Sequence, residues 1–418
     1  MLTTAERTMQ RCQTIAACTE EPGKITRRFL TPPMHEVHRH LSHWMRDAGM
    51  TVHVDAAGNI AGRFFSIDSK TKRNIAPRTL IFGSHLDTVP NGGAFDGVLG
   101  VLIGLAVAEH FSKPESTQLP FAIDVIGFSE EEGVRFAQPY LGSAAIAGLF
   151  DSAWLDRTDD QGISVSQAIS DFGLSPQNIA DAAVDPSTVI GFIEAHIEQG
   201  PVLESAGQPI GVVSSIIGQT RLVVEFLGVA GHAGTTPMTP RHDALVTAGH
   251  WIHEVNRTAL SIDGIRATVG RINVWPNASN VIPGRVEASL DVRHAADDVR
   301  ERSVAQFLAL AALIAQNGGA GLSVKHRSDV DSVCFSKRLE TLMCDAIDAT
   351  TGTVVRLPSG AGHDAAIMAK RFPTSMLFVR HPGGISHHPD ERVDASDVGV
   401  AIDTLIDLVN RLAAQEIS

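Results

Sequence analysis

FAIDVIGFSEEEG, residues 121–133, decides the fold. Its first nine residues, Phe121 to Ser129, are almost wholly apolar, which fits a strand covered on both faces. Ending that strand with Glu130 and Glu131 puts carboxylates at a sheet rim, where a cation or a proton reaction offsets their lost hydration. TLIFGS at 79–84 ends the same way, with His85 and Asp87 just beyond it. Residues 97–111 between the two read as an apolar helix. Strand, helix, strand in this order is a βαβ unit with a right-handed crossover in a parallel sheet. Val189–Ile197 and Ser375–Val379 add strands to the same layer. Pro33–Ala48 and Ala395–Gln415 carry apolar residues at three- and four-residue steps and read as flanking helices. The expected class is α/β, a mixed sheet flanked by helices.

The middle of the chain has another order. From Gln219 it runs strand (RLVVEFLGV), helix (241–256), strand (RATVGRINV), strand (GRVEASLDVR), helix (297–316), strand (GLSVKH). This βαββαβ order predicts a ferredoxin-like antiparallel sheet with both helices on one face. It interrupts the larger pattern, so residues 1–212 and 329–418 are expected to form one discontinuous domain and 213–328 an inserted one. The ends of the insert, near 212 and 328, are candidate hinges for closure over a ligand. An exposed edge strand or helix face of the insert offers a self-complementary contact, so a homodimer is expected.

At 418 residues two domains are the natural division. A net charge of −13 argues against wrapping nucleic acid or an anionic membrane surface. The longest apolar stretch, Val98 to Ala108, is far too short to span a bilayer, and the N-terminus shows no secretory apolar region. Cys12, Cys18, Cys334 and Cys344 form no CxxC pair. They are expected to be plain buried thiols in a reduced, cytoplasmic setting.

GSHLDTVPNGGAFDG at 83–97 is the strongest local string. His85 and Asp87 are two residues apart at a strand end and project to one side, so Asp87 can accept the imidazole's second N–H. Asp96 opens the next helix, where a carboxylate can bridge two cations in the favourable field of the helix N-terminus; the simpler role is an N-cap. Glu130 and Glu131 point to opposite sides if extended, so one can bind metal while the other takes a proton from attacking water. His196 ends another strand. His232 and His387 sit in the Gly-rich loops GHAGTTPM and GGISHHPDE, with His388 competing with His387. His85, Asp96, Glu131, His196 and His387 make an N/O donor set without thiolate, suited to two divalent ions sharing Asp96. Zinc fits such donors; manganese, cobalt or nickel would accept them too.

The strings GSHLDTV, FDG, EEGVRF, EAHIEQGPVLE, GHAGTTPM, NVIPG, DVRH, SGAGHDA and GISHHPDE span most of the chain. Together they resemble the M20-type two-metal hydrolases. The closer resemblance is to the amidase/hydantoinase/carbamoylase branch, which includes N-carbamoyl-L-amino-acid hydrolases and allantoate amidohydrolases. It implies that His85, Asp96 and His196 hold one metal, and Asp96, Glu131 and His387 the other. The family's Ser-His-x-Pro pattern favours His387 over His388. The resemblance further implies Glu130 as general base and His232 as a residue crossing a dimer interface to stabilise an oxyanion. Gln219, Asn280 and Arg293 would contact a small ureido acid, with Arg293 clamping its carboxylate. The activity expected is cleavage of an N-carbamoyl group, with allantoate as the alternative substrate. Peptide or N-acyl amino-acid hydrolysis by the same metals is the more distant one.

Overall fold

A computed structural model describes residues 2–65, 78–239 and 241–417. The chain divides into two compact units, one of Met1–Ser214 with Cys334–Ser418 and one of Ser215–Val333.

The larger sheet is nine-stranded. Its order is Thr51–Val54, Ile60–Phe64, Ala122–Phe128, Thr79–His85, Val189–Ile197, Thr374–Val379, Ile210–Ile216, Val333–Cys334, with Arg356–Ser359 also on Ile210–Ile216. Ala122–Phe128, Thr79–His85, Val189–Ile197 and Thr374–Val379 run parallel. Every residue of these four strands is buried, as their largely apolar runs require. Antiparallel strands on both sides make the sheet mixed.

Helix Val98–Phe111 is apolar on all sides, and only Glu109 and His110 escape burial. It packs on Thr79–His85 and Val189–Ile197 and also meets helices Thr4–Ala16 and Ala395–Ile417. Gly100 allows its close approach to the sheet, since a Cβ there would stand 2.0 Å from the Ala195 carbonyl oxygen.

The Ser215–Val333 unit holds a five-stranded antiparallel sheet. Its order is Ile272–Trp275, Arg285–His294, Gly218–Leu227, Gly321–Val330, with Arg266–Thr268 also on Arg285–His294. Alternate residues Leu222, Val224 and Phe226, with Val286, Ala288, Leu290 and Val292, form a core with helices Ala244–Ala259 and Asp297–Asn317. Both helices therefore cover one face. The strand expected over 266–274 is two strands, broken at Val269–Arg271 around Gly270. The helix expected from 241 starts at Ala244, because the Asp243 carboxylate caps the N–H groups of Leu245 and Val246.

No described helix is long and apolar enough to cross a membrane. The four cysteines are free; Cys12 and Cys344 are buried, but Cys334 is exposed, which corrects the expectation of uniformly buried thiols.

Candidate metal centre

The parallel strands deliver polar residues to one rim of the larger sheet. His85 is the last residue of its strand, and His196 is the second-last residue of Val189–Ile197. Asp96 lies in the turn before helix Val98–Phe111, and His387 comes from the loop after Thr374–Val379.

Tautomers are set locally. His196 Nδ1 lies 2.9 Å from the Ile197 carbonyl oxygen, and His85 Nδ1 lies 3.1 Å from the Asp87 carbonyl oxygen. Each ring donates there, which turns its Nε2 lone pair toward Asp96. His196 Nε2 is 3.0 Å from Asp96 Oδ1, and His85 Nε2 is 3.6 Å from the same atom. The buried Nε2 of His196 nevertheless has no hydrogen-bond partner among the described residues. At that distance a proton or a metal ion must lie between the ring nitrogen and the carboxylate oxygen. His85, Asp96 and His196 converge closely enough to hold a divalent metal there.

On the other side, His387 Nε2 is 3.2 Å from Asp96 Oδ2 and 3.3 Å from Glu132 Oε1. His387 has left-handed backbone, φ 57°, reached through Gly383 and Gly384. His388 is turned away and accepts from the Asp390 N–H, so the geometry separates the two rings. Gln199 donates weakly to both Asp96 oxygens at 3.3 Å. Asp96 is not an N-cap: Gly97 occupies that position and no side chain caps the helix.

The acidic run sits one residue out of the expected register. Glu132, not Glu131, groups with Asp96 and His387, while Glu131 groups with His85 and Glu132. A cavity of about 200 Å³ is walled by Glu131 and Glu132 but not by Glu130. Glu130 instead accepts the Val134 N–H at 3.2 Å. The reason is backbone anchoring. Asp87 Oδ1 takes the Glu131 N–H at 2.9 Å and Oδ2 the Glu132 N–H at 3.1 Å, which fixes the turn after the strand. Asp87 thus holds the Glu131–Glu132 backbone, and its carbonyl lies closer to the His85 ring than its carboxylate does, at 3.1 against 3.4 Å. Sequence alone could not locate Glu132, because three adjacent glutamates give no register until that turn is known.

Electrostatics follow the same layout. Burial pushes the Asp96 carboxyl up, but His196, His387 and His85 around it hold it well below the usual range. Burial, with further carboxylates close by, raises Glu131 well above the ordinary value. Burial and Asp96 bring Glu132 to about 7. A second grouping, Glu194, His196 and His363, has the spacing of a metal site, yet its acceptors are already engaged. Glu194 takes bonds from Ser84 Oγ at 2.8 Å and Ala365 N–H at 2.7 Å, and His363 Nε2 meets Ser359 Oγ at 2.8 Å.

Gln219, His232, Asn280 and Arg293 lie in the Ser215–Val333 unit. Gln219 and Arg293 are register partners on adjacent strands, and both reach Asp291. His232 pairs with Val281, and the Asn280 carbonyl accepts the Ala233 N–H. The N–H groups of Gly234 and Thr235 both donate to His232 Nδ1, at 3.0 and 3.2 Å. The ring proton therefore sits on Nε2, available to a ligand.

Imidazoles and carboxylates gathered at the C-terminal rim of a parallel sheet define the class: a metal-assisted hydrolase on an α/β scaffold. The model of peptidase family M20/M25/M40 matches residues 81–411, and the chain belongs to that family. It is 37% identical to an allantoate deiminase of Arabidopsis thaliana, over 90% of this chain and 76% of the relative. It is 35% identical to an N-carbamoyl-L-amino acid amidohydrolase of Geobacillus stearothermophilus, over 98% of this chain and 99% of the relative. A crystal structure of an amidase of the hydantoinase/carbamoylase family from Burkholderia multivorans superposes with a TM-score of 0.88 at 32% identity, covering 98% of each chain.

Proposed function

We propose that this chain hydrolyses the N-carbamoyl group of small carboxylic acids, N-carbamoyl-L-amino acids foremost, with two divalent ions of which zinc is the first candidate. The observation that carries the reading is the buried His196 Nε2, facing Asp96 at 3.0 Å without a hydrogen bond. His85, Asp96 and His196 would hold one ion, and Asp96, Glu132 and His387 the other. When bound, the ions polarise the ureido carbonyl and lower the proton affinity of the attacking water.

Glu131 is the base in this reading, in place of Glu130. Its burial raises its proton affinity, which suits a group that takes the water's proton and returns it to the leaving nitrogen. Water adds to the ureido carbonyl, the bond to the amino-acid nitrogen breaks, and the carbamate decomposes to carbon dioxide and ammonia. His232 would donate from Nε2 to the oxyanion, reaching the partner's centre in a homodimer formed through the Ser215–Val333 unit. The edge strand Gly321–Val330 is exposed along most of its length, which supports that contact. Arg293 would clamp the substrate carboxylate with Gln219 and Asn280 beside it, displacing Asp291 from its fork.

Allantoate is the second reading, supported by the 37% identity to an allantoate deiminase. Both substrates are small acids carrying a ureido group. Ammonia release from N-carbamoyl-L-amino acids and allantoate, assayed beside the release of free amino acids from dipeptides, tests the proposal. Turnover of either ureido acid is expected; cleavage of dipeptides with neither ureido acid touched would contradict it.

A further inference from the structure

The turn that carries Asp96 is held from the far end of the loop that carries His387. Glu391 Oε1 accepts the backbone N–H of Phe95 at 2.8 Å and of Asp96 at 3.0 Å. Glu391 is 6% exposed, and its Oε2 has no hydrogen-bond partner among the described residues. Space for the carboxylate comes from Gly93, where a Cβ would lie 2.1 Å from Glu391 Cδ. The Glu391 N–H donates to the His388 carbonyl at 3.0 Å, closing the segment directly after His387 into a turn. One carboxylate thus joins the backbone of Asp96 to the loop presenting His387.

A buried carboxylate with one oxygen unsatisfied is a costly anchor for two loops, and neutral residues could fill the same space. Its placement makes sense if the two loops must be fixed in register to each other. We infer that Glu391 is a positioning residue that sets metal affinity where Asp96, Glu132 and His387 converge. The position between His85 and His196 depends on it less. At the first position two donors are tied through Glu391, and at the second only Asp96 is. The inference rests on the two-ion reading above.

The full chain, loaded with Zn²⁺, is challenged with a chromophoric chelator, and the release of each equivalent is followed. Wild type should yield two equivalents. Glu391→Ala should keep one near wild-type affinity and hold the other about 10- to 100-fold more weakly, the usual effect of removing a group that orients a ligand. Glu391→Gln, whose amide oxygen can accept both N–H bonds, should restore the second equivalent. Gly93→Ala should expel the carboxylate and weaken the same equivalent, and it decides the matter if Glu391→Ala does not fold. Unchanged affinities in Glu391→Ala or Gly93→Ala, or no recovery in Glu391→Gln, would overturn the role of Glu391 alone. A wild-type chain that takes up no Zn²⁺ would overturn the metal reading and this inference with it.

Discussion

Three consecutive glutamates do three different things. Glu130 faces a backbone N–H, Glu131 faces the cavity, and Glu132 faces His387. Substituting each by Gln separates them. Glu131→Gln should retain metal and lose about 10²- to 10⁴-fold in kcat, the range for removing a positioned base. Glu132→Gln should lose metal, and Glu130→Gln should leave turnover within about tenfold; elemental analysis beside steady-state kinetics checks all three. Near-normal turnover in Glu131→Gln would return the base to Glu130. Strand ends and the turn before a helix made the placement of His85, Asp96 and His196 at one rim legible, whereas the Gly-rich loop offered His387 and His388 alike. Glu132 and Glu391 were not legible, because each is placed by a hydrogen bond across the fold, Asp87 to the glutamate turn and Glu391 to Phe95 and Asp96.

Helix Val98–Phe111 transmits the packing of the sheet to the metal rim. The turn before it holds Asp96 and Gly97, and Gly97 has φ 67° with no room for a Cβ beside the His85 ring. Three residues further, Gly100 sits against the Ala195 carbonyl, next to His196. Gly100→Ala should therefore cost stability by overpacking, about 1–3 kcal/mol, and should also displace His196. Urea unfolding and metal retention measured on the same variant check both effects; a stable variant with full metal content would refute the coupling. The buried strands were legible because largely apolar runs of this length have few other uses. The break at Val269–Arg271 and the short pairing of Gly231–His232 with Val281–Ile282 were not, since neither changes the apolar pattern.

Global stability should carry a pH signature from a residue remote in sequence from the metal donors. His38 is buried against the edge of Phe172. Burial first, and His35 second, lower its pKa from 6.5 to about 4. Above pH 6.5 neither state is charged at this site and the contribution is intact. As pH falls from 6.5 toward 4 the unfolded chain binds a proton that the folded chain refuses, and stability is lost, by about 3 kcal/mol at most. His38→Leu should flatten that acid slope in pH-dependent urea titrations; an unchanged slope would assign it elsewhere. At the level of the assembly, inactive His232→Ala and Glu131→Gln chains mixed into heterodimers should recover part of the activity, because one centre would then have both groups. Verified heterodimers without recovery would confine each site to one chain. The most direct test of the account is anomalous diffraction at the absorption edge of the bound metal, on crystals of the active protein. Two peaks should flank the Asp96 carboxylate, one beside His85 and His196 and one beside Glu132 and His387. A single peak, none, or one seated against Glu130 would contradict it.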